Sequence, residues 1–152
     1  MTDQITIKIA QTKADYARCI QIRTQVFVCG QNVPPAREID DHEDSATHIL
    51  VLENTADNAQ PLGAARWRLA EKGIAKIKRM AVLENARGKK IGARMLVYII
   101  DNIKESGTAK QIILGAQDHA IDFYQRMGFE VHGEGYIDGG TIPHHDMILE
   151  LK

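Results

Sequence analysis

The alternation of strand-like and helix-like segments in the second half of the chain constrains the fold most. Ile74 to Val82 favours a strand. A helix then starts near Lys89, with Ile91, Met95, Ile99 and Ile103 at four-residue steps. Gly92, Leu96 and Ile100 flank them to make one broad apolar stripe, and Ser106-Gly107 ends the helix. Gln111 to Leu114 is a short apolar run of the kind that parallel sheets bury. In the next helix Ala120, Phe123, Tyr124 and Met127 fit the i, i+3, i+4, i+7 stripe. Asp118 is its expected N-cap and Gly128 its left-handed C′ residue. Phe129 to His132 and Met147 to Leu151 read as a closing strand pair. Strand–helix–strand–helix–strand implies parallel pairing through right-handed crossovers, so the expected class is α/β with mixed strands.

The first half adds antiparallel material. Thr6 to Ile9 is β-compatible. From Lys13 to Phe27, Tyr16, Cys19, Ile20, Ile22, Val26 and Phe27 recur at helical steps. Pro34 and Pro35 end regular structure, and a loop dense in acids follows. His48 to Glu53 reads as a strand and Asn54 to Pro61 as a turn region. Leu62 to Leu69 alternates, with Ala65, Trp67 and Leu69 on one face and Arg66 and Arg68 on the other. Glu71-Lys72-Gly73 is a hairpin turn into the Ile74 strand. No repeat, long linker or low-complexity stretch divides the 152 residues, so residues 1–152 are expected to form one domain.

Between the Ile74 strand and its helix lies Val82-Leu83-Glu84-Asn85-Ala86-Arg87-Gly88-Lys89-Lys90-Ile91-Gly92-Ala93. Free N–H groups at a helix start and the positive end of its dipole form an anion site. Three cations, Arg87, Lys89 and Lys90, deepen the potential. Gly92 occupies a helical position at a cost of about 1 kcal/mol, which suggests close approach to the backbone. A phosphate-bearing ligand is the expected guest. The formal net charge is −1, so the basic cluster is local and nucleic acid is not an expected partner. No apolar run reaches membrane-span length and no signal peptide is evident, so a cytoplasmic protein without membrane association is expected. Cys19 and Cys29 fit neither a disulfide framework nor a zinc pattern and are expected to pack.

Two segments then match a known family. Arg87-Gly88-Lys89-Lys90-Ile91-Gly92 resembles the coenzyme motif of the GNAT N-acetyltransferases, Arg/Gln-x-x-Gly-x-Gly/Ala. Ala120-Ile121-Asp122-Phe123-Tyr124-Gln125-Arg126-Met127-Gly128-Phe129 resembles the family's later A-x-x-F-Y-x-x-x-G-F segment, one helix and one strand downstream. Val26-Phe27-Val28, Gln31-Asn32-Val33-Pro34 and Ile142-Pro143-His144-His145-Asp146-Met147 resemble the small bacterial ElaA-like subgroup. Lys90 replaces the first motif glycine.

The resemblance implies a mixed, mainly antiparallel sheet with a parallel, splayed strand pair in its middle and helices on both faces. It implies acetyl-CoA as co-substrate and a small-molecule or protein amine as acceptor, in a monomer or homodimer. By the same likeness Met80, Ala81 and Val82 line the pantetheine and thioester. Arg87, Gly88, Lys89, Lys90, Ile91, Gly92 and Ala93 receive the pyrophosphate, and Tyr124 both contacts the coenzyme and protonates the departing thiolate. The adjoining strands should part near Val82 and Gly115. An unperturbed phenol protonating a thiolate is uphill by about 2 kcal/mol in water, a gap that desolvating the thiolate would reduce.

A base for the amine is less legible. Glu38-Ile39-Asp40-Asp41-His42-Glu43-Asp44 packs five acids and a histidine into seven residues. By its charges it reads as a solvated loop. The family resemblance instead implies that it forms the acceptor-side wall, with Asp40, His42 and Glu38 as candidate bases. No metal is expected there. His144 and His145 are adjacent strand residues, so one can reach the cleft but both cannot face one site. Arg66 and Arg68 could steer an anionic acceptor. Two other classes compete: a non-catalytic acyl-CoA-binding or sensing domain, and a nucleotide-binding protein. The second is weakened because no phosphate-binding glycine motif follows a strand.

Overall fold

The computed structural model describes residues 4–55, 58–88 and 90–151. Its strands form one seven-stranded sheet in the order β1-β2-β3-β4-β5-β7-β6. These are β1 (Ile5–Ile9), β2 (Thr47–Asn54), β3 (Ala59–Glu71), β4 (Gly73–Val82), β5 (Ala109–Gln117), β6 (Glu130–Asp138) and β7 (Ile142–Glu150). Among the described residues only β4 and β5 pair in parallel, and every other strand pairing is antiparallel. The mixed sheet with a central parallel pair is the class that the family resemblance implied. Of the parallel pairings expected along the strand–helix–strand–helix–strand run only β4–β5 forms, because β7 lies antiparallel between β5 and β6.

Strand alternation gives the sheet two cores. Ile49 and Val51 of β2 face one side, where α3 (Ile91–Ser106) lays Ile91, Met95, Leu96, Ile99 and Ile103 over Ala65, Trp67, Ile77, Ile112 and Leu114. Leu50 and Leu52 face the other side, under Cys19 and Ile22 of α1 (Lys13–Arg23). The α3 stripe is fully buried, while its opposite side keeps Val97 48% exposed. Helices therefore cover both faces.

Several boundaries move, for physical reasons. The first helix does not run evenly to Phe27: after Arg23 it widens into a π-helical turn, Thr24–Cys29, which leaves Cys29 exposed while Cys19 stays buried. Pro35 does not only end structure; it starts the one-turn helix α2 (Pro35–Glu38), where its missing N–H costs nothing. β3 starts at Ala59, inside the expected turn region, and Pro61 sits at an irregularity in the β2–β3 pairing, where a missing donor is tolerated. Leu69 does not join the buried face, being 44% exposed near the hairpin turn. Asp118 is not the cap of α4 (Ile121–Arg126); it opens a 3₁₀ turn and pairs with His145. β6 is longer than its apolar part because every residue of it is exposed, so no alternation marks it in the sequence.

Candidate active site

The β4–β5 ladder runs from Gly73 opposite Ala109 to Ile77 opposite Leu114 and then stops. Ala64 pairs with Ala81 and Arg66 with Lys78, so Arg79 and Met80 together face Ala65 alone. This is a β-bulge, with Arg79 in the left-handed region at φ 56°. The extra residue turns β4 away, whereas β5 stays paired with β7 as far as Gln117 opposite His144. A cleft of about 1060 Å³ opens between them. On β5 it opens at Gly115, as expected from the sequence; on β4 it opens at Lys78, well before Val82.

On the α3 face, Leu83 donates its N–H to Leu62 of β3 at 2.9 Å. Strand alternation then turns the polar groups of Val82 toward the cleft. Arg87 Nε donates to that Val82 carbonyl at 3.2 Å and the side chain lines the cleft. Gly88 has φ +88°, with open space where a Cβ would stand. Lys89 lies outside the described residues. Lys90 occupies the N-cap with φ 60°, also left-handed, and its side chain makes no capping bond. The first helical bond is Arg94 N–H to Lys90 C=O, at 3.0 Å. The N–H groups of Ile91, Gly92 and Ala93 therefore have no carbonyl within α3. The Ile91 side chain is in the core, so only its backbone is available to a ligand. At Gly92 a Cβ would meet Phe123 Cζ at an ordinary 3.6 Å, so the fold itself does not require glycine there.

Tyr124 lines the same side at 9% exposure, its ring edge-on to Phe123 and Phe129. Its hydroxyl donates to Met80 Sδ at 3.5 Å. Burial pushes its pKa up to about 12, so the phenol is desolvated as well as any thiolate beside it.

The opposite mouth, on the α1 face, holds a network of buried charges. Arg23, 1% exposed, donates from Nε to Glu38 Oε1 at 2.6 Å and from both terminal nitrogens to Glu43 at 2.7 and 2.9 Å. Arg66, 2% exposed, binds Glu43 and Asp40. Arg79 reaches Asp40 at 3.4 Å and Glu38 at 3.5 Å. Desolvation would raise the Asp40 carboxyl, but the Arg66 hydrogen bond and the His42 N–H outweigh it and hold it well below the carboxylate range. Glu43 shows the same contest, lost by desolvation to Arg23, and ends at about 2. The acid run is therefore largely internal counter-charge rather than a solvated loop. Arg66 is locked within it and is not available to steer an anion. Of the three candidate bases, Glu38 lines the cleft, whereas Asp40 is tied to two arginines and His42 lies outside the lining. Glu38 Oε2 is buried without a hydrogen bond among the described residues.

Sequence reasoning missed Tyr136 on this mouth. Tyr136 Oη donates to Asp146 Oδ1 at 2.7 Å and lies over Gly115, where a Cβ would come within 2.3 Å of that oxygen. His144 stacks on Tyr136. Nothing in the spacing of Gly115, Tyr136 and His144 announces this meeting; the β5–β7–β6 register makes it.

A family model described as an acetyltransferase (GNAT) domain matches residues 23–151. The chain belongs to the GNAT acetyltransferases. It is 35% identical over 143 residues to the uncharacterised N-acetyltransferase YjcF of Bacillus subtilis, covering 93% of this chain and 97% of that protein. ElaA of Escherichia coli is 32% identical over 136 residues, covering 87% of this chain and 85% of that protein. The crystal structure of Escherichia coli ElaA superposes with a TM-score of 0.82 at 28% identity, covering 96% of this chain and 99% of that one. A GNAT acetyltransferase from Elizabethkingia anophelis, solved with acetyl-CoA bound, shares the fold at TM-score 0.69 and 20% identity, over 99% of this chain and 100% of that one. Within that family the chain falls in the ElaA-like subgroup.

Proposed function

We propose that this chain is an acetyl-CoA-dependent N-acetyltransferase in which the acceptor amine attacks the thioester directly. The observation that carries this reading is the β4–β5 cleft, open to both faces of the sheet, with an unsatisfied helix start on one mouth and ionisable side chains on the other. The fit to acetyl-CoA rests on three features of that donor mouth. The amides of Ile91, Gly92 and Ala93 are free of helical partners, Gly88 takes the conformation a glycine tolerates, and Arg87 projects beside them. Those groups, with Lys89 and Lys90, would hold the pyrophosphate. Met80, Ala81 and Val82 would run along the pantetheine, with Val82 offering backbone groups to the cleft. Bound acetyl-CoA supplies an activated acyl group.

This chain's residues do the rest. A backbone N–H aimed at a developing oxyanion lowers the barrier by about 3 kcal/mol, and Val82 is the candidate donor. Tyr124 holds a proton at the inner end of the cleft and gives it to the leaving sulfur. Its raised pKa makes it a weak acid, so it is effective only against a thiolate that is itself desolvated. Asp40, as an ion-paired carboxylate, and His42, outside the cleft, take no part in this proposal.

Calorimetry with acetyl-CoA, CoA and ATP tests the donor assignment. CoA species should bind and ATP should not compete; no binding of either CoA species overturns the reading. Thiol release against a broad amine panel then separates a transferase from an acyl-CoA sensor, which would bind without turnover.

A further inference from the structure

Building on that acetyltransferase reading, we infer that His144 is the general base that takes the proton from the incoming acceptor nitrogen. Three structural facts converge on its Nε2.

The first is its side of the sheet. Met147 is buried in the α3-side core, so alternation sends His145 to that side and His144 and Asp146 to the other. His145 accordingly pairs with Asp118 at 2.7 Å, whereas His144 and Asp146 line the cleft on the mouth opposite Tyr124. A nucleophile entering by that mouth meets His144 on its way to the gap between β4 and β5.

The second is its tautomer. His144 Nδ1 lies 2.8 Å from the Ile142 carbonyl. A carbonyl oxygen only accepts, so Nδ1 carries the hydrogen, and in the neutral ring Nε2 carries the lone pair. Nε2 takes no partner among the described residues, although the residue is 8% exposed.

The third is fixation. The ring stacks on Tyr136 with centroids 5.6 Å apart and planes at 18°, and Tyr136 is held by Asp146. The ring is thus oriented from two strands. Tyr136 and Asp138 of β6 and Asp146 of β7 share its wall; Lys78 and Arg79 of β4 and Glu38 of α2 line the cleft across from it. An imidazole is the side chain suited to exchanging a proton near neutral pH. Of the nearby acids, Asp40, Glu43 and Glu38 are paired with arginines, Asp146 accepts from Tyr136 Oη and Asp138 accepts from the Gly139 N–H.

The proton balance closes. The ammonium nitrogen gives one proton to the Nε2 lone pair. The freed nitrogen lone pair forms the N–C bond as the C–S bond breaks, its electron pair leaving on sulfur. Tyr124 protonates that sulfur. The acylated nitrogen gives up its second proton, which passes through water to the Tyr124 phenolate and leaves a neutral amide. The imidazolium loses its own proton to water, so one proton is released per turnover.

Two measurements test this. Long-range ¹H–¹⁵N spectra of histidine-labelled protein, with His144 assigned by its loss in His144→Gln, should show the neutral ring protonated at Nδ1 and bare at Nε2. The opposite tautomer overturns the proposal whether or not an acceptor is known. On any amine of the panel that turns over, His144→Gln should lower kcat about 100-fold at neutral pH. CoA affinity by calorimetry should stay within about twofold, and the deficit should shrink as pH rises and the amine loses its proton unaided. His145→Gln should stay close to the parent. A His144→Gln enzyme at full rate, or one equally slow at every pH, overturns the base assignment alone; failure of the parent protein to bind CoA would instead remove the acetyltransferase reading beneath it.

Discussion

On the α3 side of the cleft the groups that matter are backbone amides, one arginine and one phenol, all within two short stretches of chain. On the α1 side they are side chains from six elements: Arg23 from α1, Glu38 from α2, Arg66 from β3, Arg79 from β4, Tyr136 from β6 and His144 from β7. The first mouth is made by local geometry, a strand that stops pairing and a helix that starts. The second exists only when the whole sheet is assembled. The difference teaches where a mutation will act on stability and where on chemistry alone.

The largest effect should come from the assembled side. Arg23→Met leaves Glu38 and Glu43 buried without their main counter-charge, and should cost about 3–5 kcal/mol of unfolding free energy by denaturant titration. A cost below about 1 kcal/mol would mean that the network is not a structural keystone of this mouth. The same network should give the protein an acid limb. Glu43 has its carboxyl lowered from an ordinary 4.5 to about 2, so its contribution is fully present above the unfolded value and is lost as pH falls through the folded one. Thermal melts should therefore decline progressively between about pH 5 and about pH 2, and less steeply in Glu43→Gln, which starts lower.

On the local side, the expected effects are kinetic. Tyr124→Phe should keep the fold, since only a weak bond to Met80 Sδ is lost, and should slow thiol release by about 100-fold. Unchanged turnover across pH would remove Tyr124 from the chemistry. Arg87→Ala should weaken CoA binding about tenfold by calorimetry, the size of one charge-assisted contact, with an unchanged melt. Affinity that did not move would shift the pyrophosphate away from this helix start. The smallest effect belongs to Lys90. A non-glycine residue at φ 60° costs about 1–2 kcal/mol, and glycine's extra entropy gives back up to about 1 kcal/mol of that, so Lys90→Gly should stabilise the fold by about 1 kcal/mol or less. Weaker CoA binding in that variant would show that the lysine charge compensates for its strained backbone.

Most helices and strands could be read directly from periodicity: α3 buries one stripe of its surface, and Ala65 and Trp67 of β3 face the α3 core while Arg66 faces the other side. Only the start of β6 was legible, its remainder being exposed on both faces, and the π-turn after Arg23 escaped that logic because its sequence continues a helical pattern. In the site the pattern was the same. Arg87 to Ala93 and Tyr124 lie in contiguous motifs whose geometry is local. The acids from Glu38 to Asp44 were visible as charges, but charge alone could not say whether water or arginine would answer them.

What the sequence by itself determined was a central strand–helix–strand unit with a helix start suited to an anion, because hydrogen-bond period and side-chain spacing decide such elements over a few residues. What only the tertiary structure decided was the other mouth. Arg23, Arg66 and Arg79 close on the acid run, and the register of β5, β7 and β6 brings Tyr136 and His144 to Gly115. Those contacts join residues tens of positions apart, and packing rather than local spacing selects them.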